Sequence, residues 1–199
     1  MIYAEYIERD RFLPIEIFRR FADQASWTAA DDGLVGNFGR TMRMGPVPAY
    51  VCFWQCKGLA RMDEWEAHFR SPEAAMDGAE QATLRAIHLA RGGCYDEVVE
   101  GPAVNREGLI CIEYFASPDL VSDDELASHF TVRATRHKEA DLNFVLRRIG
   151  RLGPNPGCLA VWTFESYAAM EPFQRVGLDD DPFRPEETGL YRWIGRDIL

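Results

Sequence analysis

The chain of 199 residues is 47% apolar and 27% charged, with five cysteines and a formal net charge of −10. Such a composition can cover the entropy of ordering a core, which excludes global disorder, collagen-like repeats and a disulfide framework. A pI of about 4.9 sets aside nucleic acid and anionic membrane surfaces, which bind through Lys and Arg patches, and leaves a small molecule or another protein as partner.

In chain order, Met1 to Asp10 carries Glu5 and lacks a basic n-region and an apolar h-region, so it does not read as a signal peptide. Ile2 to Ile7 alternates as a strand, and a helix is expected from Pro14 through Ile15, Ile17, Phe18, Phe21 and Ala22. Next comes a hairpin, Leu34 to Met44 and Tyr50 to Cys56, around Gly45-Pro46-Val47-Pro48. Proline cannot continue a central strand and glycine permits the reversal. A second helix begins near Arg61, and a further helical segment runs from Ser71 through Ala79, Ala82, Leu84 and Ile87 until Gly92-Gly93 stops it. Cys94 to Glu100 is a closing strand, and Gly101 to Arg106 reads as a linker.

Beyond the linker the same series recurs. Leu109 to Phe115 is a strand, and Ser122-Asp123-Asp124-Glu125 is a capping box opening a helix through Leu126, His129, Phe130 and Arg133. A hairpin of Leu142 to Leu152 and Cys158 to Phe164 flanks Gly153-Pro154-Asn155-Pro156. A helix near Ala169, an acidic loop from Asp179 to Pro185 and a strand from Leu190 to Ile198 complete the chain. Sliding the sequence against itself by 108 residues gives twelve identities over residues 1 to 62, where average residue usage gives about four. Glu5-Tyr6 falls on Glu113-Tyr114, Arg40 on Arg148, Gly45-Pro46 on Gly153-Pro154 and Trp54 on Trp162.

Each copy reads as β-α-β-β-α-β, so an α+β chain of two tandem ferredoxin-like units is expected, residues 1–100 and 107–199 joined by the linker 101–106. A four-stranded sheet with an open apolar face needs a partner, which the second unit supplies in the same chain. The arrangement resembles the dimeric α/β-barrel superfamily in a fused, tandem form, with two sheets facing each other. Trp65-Glu66-Ala67-His68-Phe69-Arg70-Ser71-Pro72-Glu73 looks like the helix segment of antibiotic-biosynthesis-monooxygenase and YgiN-like domains. Val176 stands in place of His68 in the second copy, so at most one half carries that site. Glu5-Tyr6 is similar to the NIPSNAP and EthD-like branches.

Alternation puts Ile2, Ala4 and Tyr6 on one face of the first strand, and Tyr3, Glu5 and Ile7 on the other. The aliphatic face suits the helices, so the glutamate face is expected to look into the barrel. Two readings of Glu5 and Glu113 stay open. One is an ion pair repeated by duplication, with Arg40 or Arg43 answering Glu5 and Arg148 or Arg151 answering Glu113. The other is a general acid or base of raised pKa: Glu113 with His129 and Arg148, or failing that Glu5 with His68 and Arg40. Trp54, Trp162, Tyr3 and Phe115 are assigned to the substrate wall, whereas His88 and His137 sit among charged, exposed-looking neighbours.

The glycines from Gly33 to Gly39 have the wrong spacing for a dinucleotide loop, and no Walker, GxSxG, HExxH or EF-hand motif occurs. No metal or cofactor is therefore expected, and the purified protein should be colourless. Some tandem barrels of the superfamily bind haem through a helical His, for which His129 is the positional candidate. No stretch approaches the roughly 20 apolar residues that cross a bilayer. Cys52, Cys56, Cys94, Cys111 and Cys158 form no CxxC pair and read as reduced, buried small hydrophobes, so a cytoplasmic location is expected. Two functions follow: an enzyme using cofactor-independent acid–base chemistry (lyase, isomerase or oxygenase) on an aromatic or polyketide-like substrate, or a non-catalytic binding or assembly protein, with homo-oligomers allowed by either.

Overall fold

The computed structural model describes residues 1–9, 34–42, 48–69, 87–116, 121–150, 156–175 and 183–194. Their strands are β1 (Ile2–Arg9), β2 (Leu34–Arg40), β3 (Tyr50–Gln55), β4 (Ile87–Glu100), β5 (Leu109–Phe115), β6 (Ala140–Arg148), β7 (Cys158–Phe164) and β8 (Glu187–Trp193). The helices are α1 (Ala60–Phe69), α2 (Asp123–Arg136) and α3 (Tyr167–Arg175). The helix expected from Pro14 and the tips of both Gly-Pro loops fall outside the described residues.

Among these residues the strands close into one antiparallel barrel in the order β1-β3-β2-β8-β5-β7-β6-β4. The first four strands are therefore neighbours as β4-β1-β3-β2 and the last four as β8-β5-β7-β6, with β2–β8 and β4–β6 as the two seams. Closure removes the exposed edges that an open sheet must protect. Registers recur at a spacing of 108: Tyr3 faces Trp54 as Cys111 faces Trp162, and Glu5 faces Cys52 as Glu113 faces Ala160. A register shift between Leu34 and Gly36 on β2 matches one between Leu142 and Phe144 on β6. That second bulge has a visible use. Asn143 Nδ2 donates to the Pro102 carbonyl and the Gly101 amide donates to the Asn143 carbonyl, which pins the linker to β6.

One buried cluster draws on all eight strands, including Ile2, Ala4, Tyr6, Phe38, Phe53, Tyr95, Ile112, Tyr114, Phe144, Leu146, Tyr191 and Trp193. It fills the barrel interior with rings in edge contact: Phe38 to Phe53 at 5.8 Å, Phe38 to Trp193 at 5.6 Å and Phe53 to Phe144 at 5.3 Å between centroids. The opposite face of the second group of strands packs under α2 and α3 through Cys111, Phe115, Leu126, Phe130, Trp162, Phe164 and Phe173. The faces are thus the reverse of the expectation: Ile2, Ala4 and Tyr6 line the interior, and the face carrying Glu5 and Glu113 lies outside it. A lumen between two sheets is as apolar as a helix seat, so alternation separates the faces without saying which is which.

β4 begins at Ile87, where a helix stopped by Gly92-Gly93 was expected. Both glycines lie inside the strand because neighbouring rings use their space. A Cβ at Gly92 would stand 2.6 Å from the Tyr3 hydroxyl, and one at Gly93 2.8 Å from the Tyr95 ring. β8 likewise starts at Glu187, three residues before the expected Leu190. α2 begins as expected, with Ser122 and Glu125 forming both arms of the capping box. All five cysteines are free and buried. Among the described residues no helix is long and apolar enough to cross a membrane.

Candidate functional site

Leu126, Phe130 and Arg133 are the buried residues of α2 and follow one stripe at i, i+4 and i+7. The stripe sets a guanidinium over the outer face of β5. Arg133 donates to both Glu113 oxygens, at 2.7 and 2.8 Å, and Trp162 Nε1 donates to Oε2 at 2.9 Å. Glu113 is 1% and Arg133 6% exposed. The Arg133 guanidinium also lies 4.5 Å from the Phe173 ring centre and 5.2 Å from that of Trp162. A bidentate pair with these additional contacts is a satisfied buried ion pair that fixes α2 and α3 on the sheet.

His137 caps the C-terminus of α2, buried at 7% and 4.9 Å from Phe173. Its sequence neighbours suggested exposure, but the apolar rings lie across from it rather than beside it in the chain. Burial first, then the nearby Arg133 charge, lowers its pKa from the ordinary 6.5. The unfolded chain therefore takes up a proton before the folded one as pH falls through 6.5, so this contribution to stability is present above that pH and lost below it. Urea titrations from pH 8 to 5 should show stability declining below pH 6.5, with a shallower decline in His137→Gln.

In the first group of strands the equivalent carboxylate has different company. Trp54 Nε1 donates to Glu5 Oε2 at 3.0 Å, matching the Trp162 bond. Glu5 is half-buried, and no cation is paired with it among the described residues. At the spacing of 108 the place of Arg133 falls to Ala25 in the sequence. Burial pushes the Glu5 pKa up, and the Trp54 hydrogen bond offsets part of the rise. Around it stand Tyr3, Cys52 and Trp54 of the same outer face. The Tyr3 phenol is raised by burial and then by Glu5, and the Cys52 thiol likewise.

Arg40 and Arg148 are not the partners of these glutamates. Arg40 lies opposite Tyr191 and Arg148 opposite Tyr95, and paired residues share a face, so both arginines stand on the lumen side. There they border a quartet of phenols. Tyr6 donates to the Tyr95 hydroxyl at 2.9 Å and Tyr95 to the Pro156 carbonyl at 3.2 Å. The hydroxyls of Tyr114 and Tyr191 stand 2.7 Å apart, and Tyr191 reaches the Pro48 carbonyl at 3.3 Å. Each Gly-Pro loop thus ends in a carbonyl that accepts a phenol from across a seam. Burial pushes Tyr95 up to about 12 against the Tyr6 hydrogen bond and the pull of Arg148. Tyr6, Tyr114 and Tyr191 are also raised by burial. All four are neutral hydrogen-bonding groups at neutral pH.

Of the remaining residues assigned from sequence, Phe115 packs on Phe130 at 5.4 Å. Trp162 and Trp54 hold the two glutamates. His68 belongs to α1, and its side chain lies outside what is described. His129 sits with its ring 5.1 Å from Phe130 and 4.5 Å from Phe183. Both Glu113 oxygens are taken by Arg133 and Trp162, which corrects the expected set of Glu113, His129 and Arg148. Haem is the cofactor the superfamily resemblance raises. The described residues between the second group of strands and α2–α3 do not fit it, because Phe115, Phe130, Trp162, Phe164 and Phe173 fill that space with centroid spacings of 5.0 to 6.3 Å around the ion pair. Among the described residues no group of three or more His, Cys, Asp or Glu could hold a metal ion.

No family model and no curated protein matches the chain. Solved structures do. An anthrone oxidase-like protein aligns with TM-score 0.61 and 9% identity over 97% of this chain and 91% of its own. A heme-binding protein from Thermus thermophilus gives 0.58 and 11% over 96% of this chain and 90% of its own. A mutant chlorite dismutase from Candidatus Nitrospira defluvii gives 0.55 and 11% over 95% and 90%. At these identities the likeness shows the fold alone, and the chain shares the dimeric α/β-barrel fold of these structures.

Proposed function

We propose that the chain is a small-molecule enzyme acting on an aromatic ketone or polyketide-like substrate held against the outer face of the first four strands, with Glu5 as general acid. The observation that carries this is the contrast between two equivalent glutamates. Each accepts from a tryptophan, but Glu113 is closed by Arg133 whereas Glu5 is only half-buried and of raised pKa. A carboxylic acid that holds its proton above the usual carboxylate range is suited to proton transfer. The recurrence of registers at 108 supports descent of both halves from one ferredoxin-like unit, one half keeping the acid and the other an ion pair. Chemistry of this kind needs no resident cofactor.

Because one similar structure is an anthrone oxidase-like protein, anthrone is a suitable probe. Glu5 would give its proton to the ketone oxygen while the ring C–H proton leaves to water, producing the enol. The enol is then oxidised by dioxygen, with anthrone plus dioxygen giving anthraquinone plus water. Glu5→Gln should lower turnover by about 100-fold or more while the thermal midpoint stays within a few degrees. Full turnover in the variant overturns the assignment. The filled lumen and the Glu113–Arg133 pair favour a second reading, a non-catalytic binding barrel, which absence of turnover in the unaltered protein would select.

A further inference from the structure

The segment between the two groups of strands does more than join them. β4 ends at Glu100 and β5 begins at Leu109, with β6 and β7 standing between them in the barrel. The chain crosses that interval pressed against the strands. A Cβ at Gly101 would overlap the Leu142 carbonyl oxygen of β6, and one at Gly108 the Thr163 methyl of β7, so the close approach needs glycine at both ends. Asn143, 2% exposed, holds the first end. Its side-chain amide donates to the Pro102 carbonyl at 3.1 Å, its backbone carbonyl accepts from the Gly101 amide at 2.8 Å, and Thr163 Oγ1 donates to its Oδ1 at 2.6 Å. At the far end Arg192 of β8 donates to the Glu107 carbonyl at 2.9 Å. Between these pins the segment turns inward. Val104 packs on the lumen cluster, and the Arg106 guanidinium lies 4.7 Å from the ring centre of Trp193, a member of that cluster. Residues 101–107 are therefore a strap across one mouth of the barrel.

Under the strap one polar group is left over. Trp193 is 5% exposed, and its Nε1 has no hydrogen-bond partner among the described residues. Trp162, equally buried, donates to Glu113. A buried donor left unpaired carries the cost of its lost hydration, which a ligand with an acceptor oxygen relieves. The surroundings restrict that ligand. Phe38 lies edge-on to Trp193 at 5.6 Å within the apolar lumen, where an ionised acceptor loses far more hydration than a neutral carbonyl. The lumen itself is full, so room for the ligand comes from Val104, which the strap contributes. We propose that this mouth is a ligand site gated by the strap, in which a compact apolar ketone takes the place of Val104 and accepts a hydrogen bond from Trp193 Nε1. The site is separate from Glu5, which stands on the outer face.

Cyclohexanone is the probe, titrated into the full chain while proton–nitrogen correlation spectra follow the indole N–H signals, with Trp193 assigned from the Trp193→Phe variant. The Trp193 indole proton should move downfield and saturate as its hydrogen bond forms, whereas the Trp162 signal, already bonded to Glu113, stays in place. Two variants should act in opposite directions, with affinity read from saturation transfer to the ketone. Val104→Ala, which opens the room beforehand, should tighten cyclohexanone about threefold. Trp193→Phe, which keeps a ring beside Phe38 and removes the donor, should weaken it about tenfold. Hydrogen exchange reports the gate itself: the Trp193 indole should exchange through local opening at a rate insensitive to low urea, and the Trp162 indole only through global unfolding. Absence of a saturable Trp193 shift overturns the inference, as does a shift confined to the Trp54 indole, which would put the ketone beside Glu5 on the outer face. Should Trp193→Phe fail to fold, the other two readouts decide: unchanged cyclohexanone affinity in Val104→Ala, or a Trp193 indole that exchanges only with global unfolding, overturns the gated site.

Discussion

Replacing Arg133 by methionine should cost about 3–5 kcal/mol of folding stability, because it strands a carboxylate inside the protein. Glu113 is 1% exposed, and the change takes away its bidentate partner while the Trp162 indole still donates to it. Arg133→Met also removes the guanidinium that sits over Phe173 and Trp162, loosening α3 as well as α2. Glu113→Gln alone should be destabilising for the mirror reason, leaving a buried guanidinium with an amide. The double variant, Glu113→Gln with Arg133→Met, removes both charges and should recover part of the loss, since a buried pair replaced by neutral groups of similar volume is often tolerated. Urea unfolding of the four proteins measures the coupling. An Arg133→Met protein within about 1 kcal/mol of the unaltered one would mean that solvent reaches Glu113 and that the pair is not structural. The same series at Glu5 should behave differently. Glu5→Gln should be nearly neutral for stability, because no cation is left behind among the described partners.

The strands were legible for a physical reason. A period of two with aromatic and β-branched residues marks them, and for β5 and β7 even the ends agree. What failed has equally specific causes. Gly92-Gly93 reads as a breaker because sequence shows the missing side chains and not the Tyr3 and Tyr95 rings that occupy their places. The faces were exchanged because both are apolar. A signal for the true partner of Glu113 was nonetheless present: Arg133 follows Leu126 and Phe130 at helical spacing on the apolar stripe, and a charge on such a stripe needs an opposite charge on the strand beneath. At the spacing of 108 the first copy has Ala25 where the second has Arg133, so the sequence repeats the glutamate without repeating that guanidinium. Arg40 and Arg148 repeat for a different purpose, beside the phenols that cross the seams. Nothing in the sequence spacing distinguishes an arginine opposite a tyrosine from one opposite a glutamate two strands away.

Truncating one lumen ring should unfold the whole barrel rather than one half of it. Phe53 is fully buried and packs edge-on against Phe38, from its own group of strands, and against Phe144 from the other. Phe53→Ala removes a large ring from a space that neighbouring rings cannot collapse to fill, at a cost of about 3–5 kcal/mol. Because the lumen cluster takes residues from all eight strands, neither group can bury its inner face without the other. The two seams add the phenol bonds from Tyr95 to Pro156 and from Tyr191 to Pro48, which exist only when both groups are in place. Unfolding should therefore stay a single transition in the variant, with far-ultraviolet circular dichroism and tryptophan fluorescence coinciding at a lower midpoint. Two separated transitions, with one group of strands surviving the loss of Phe53, would show that each sheet carries its own stability and that the shared lumen is not what holds the barrel closed.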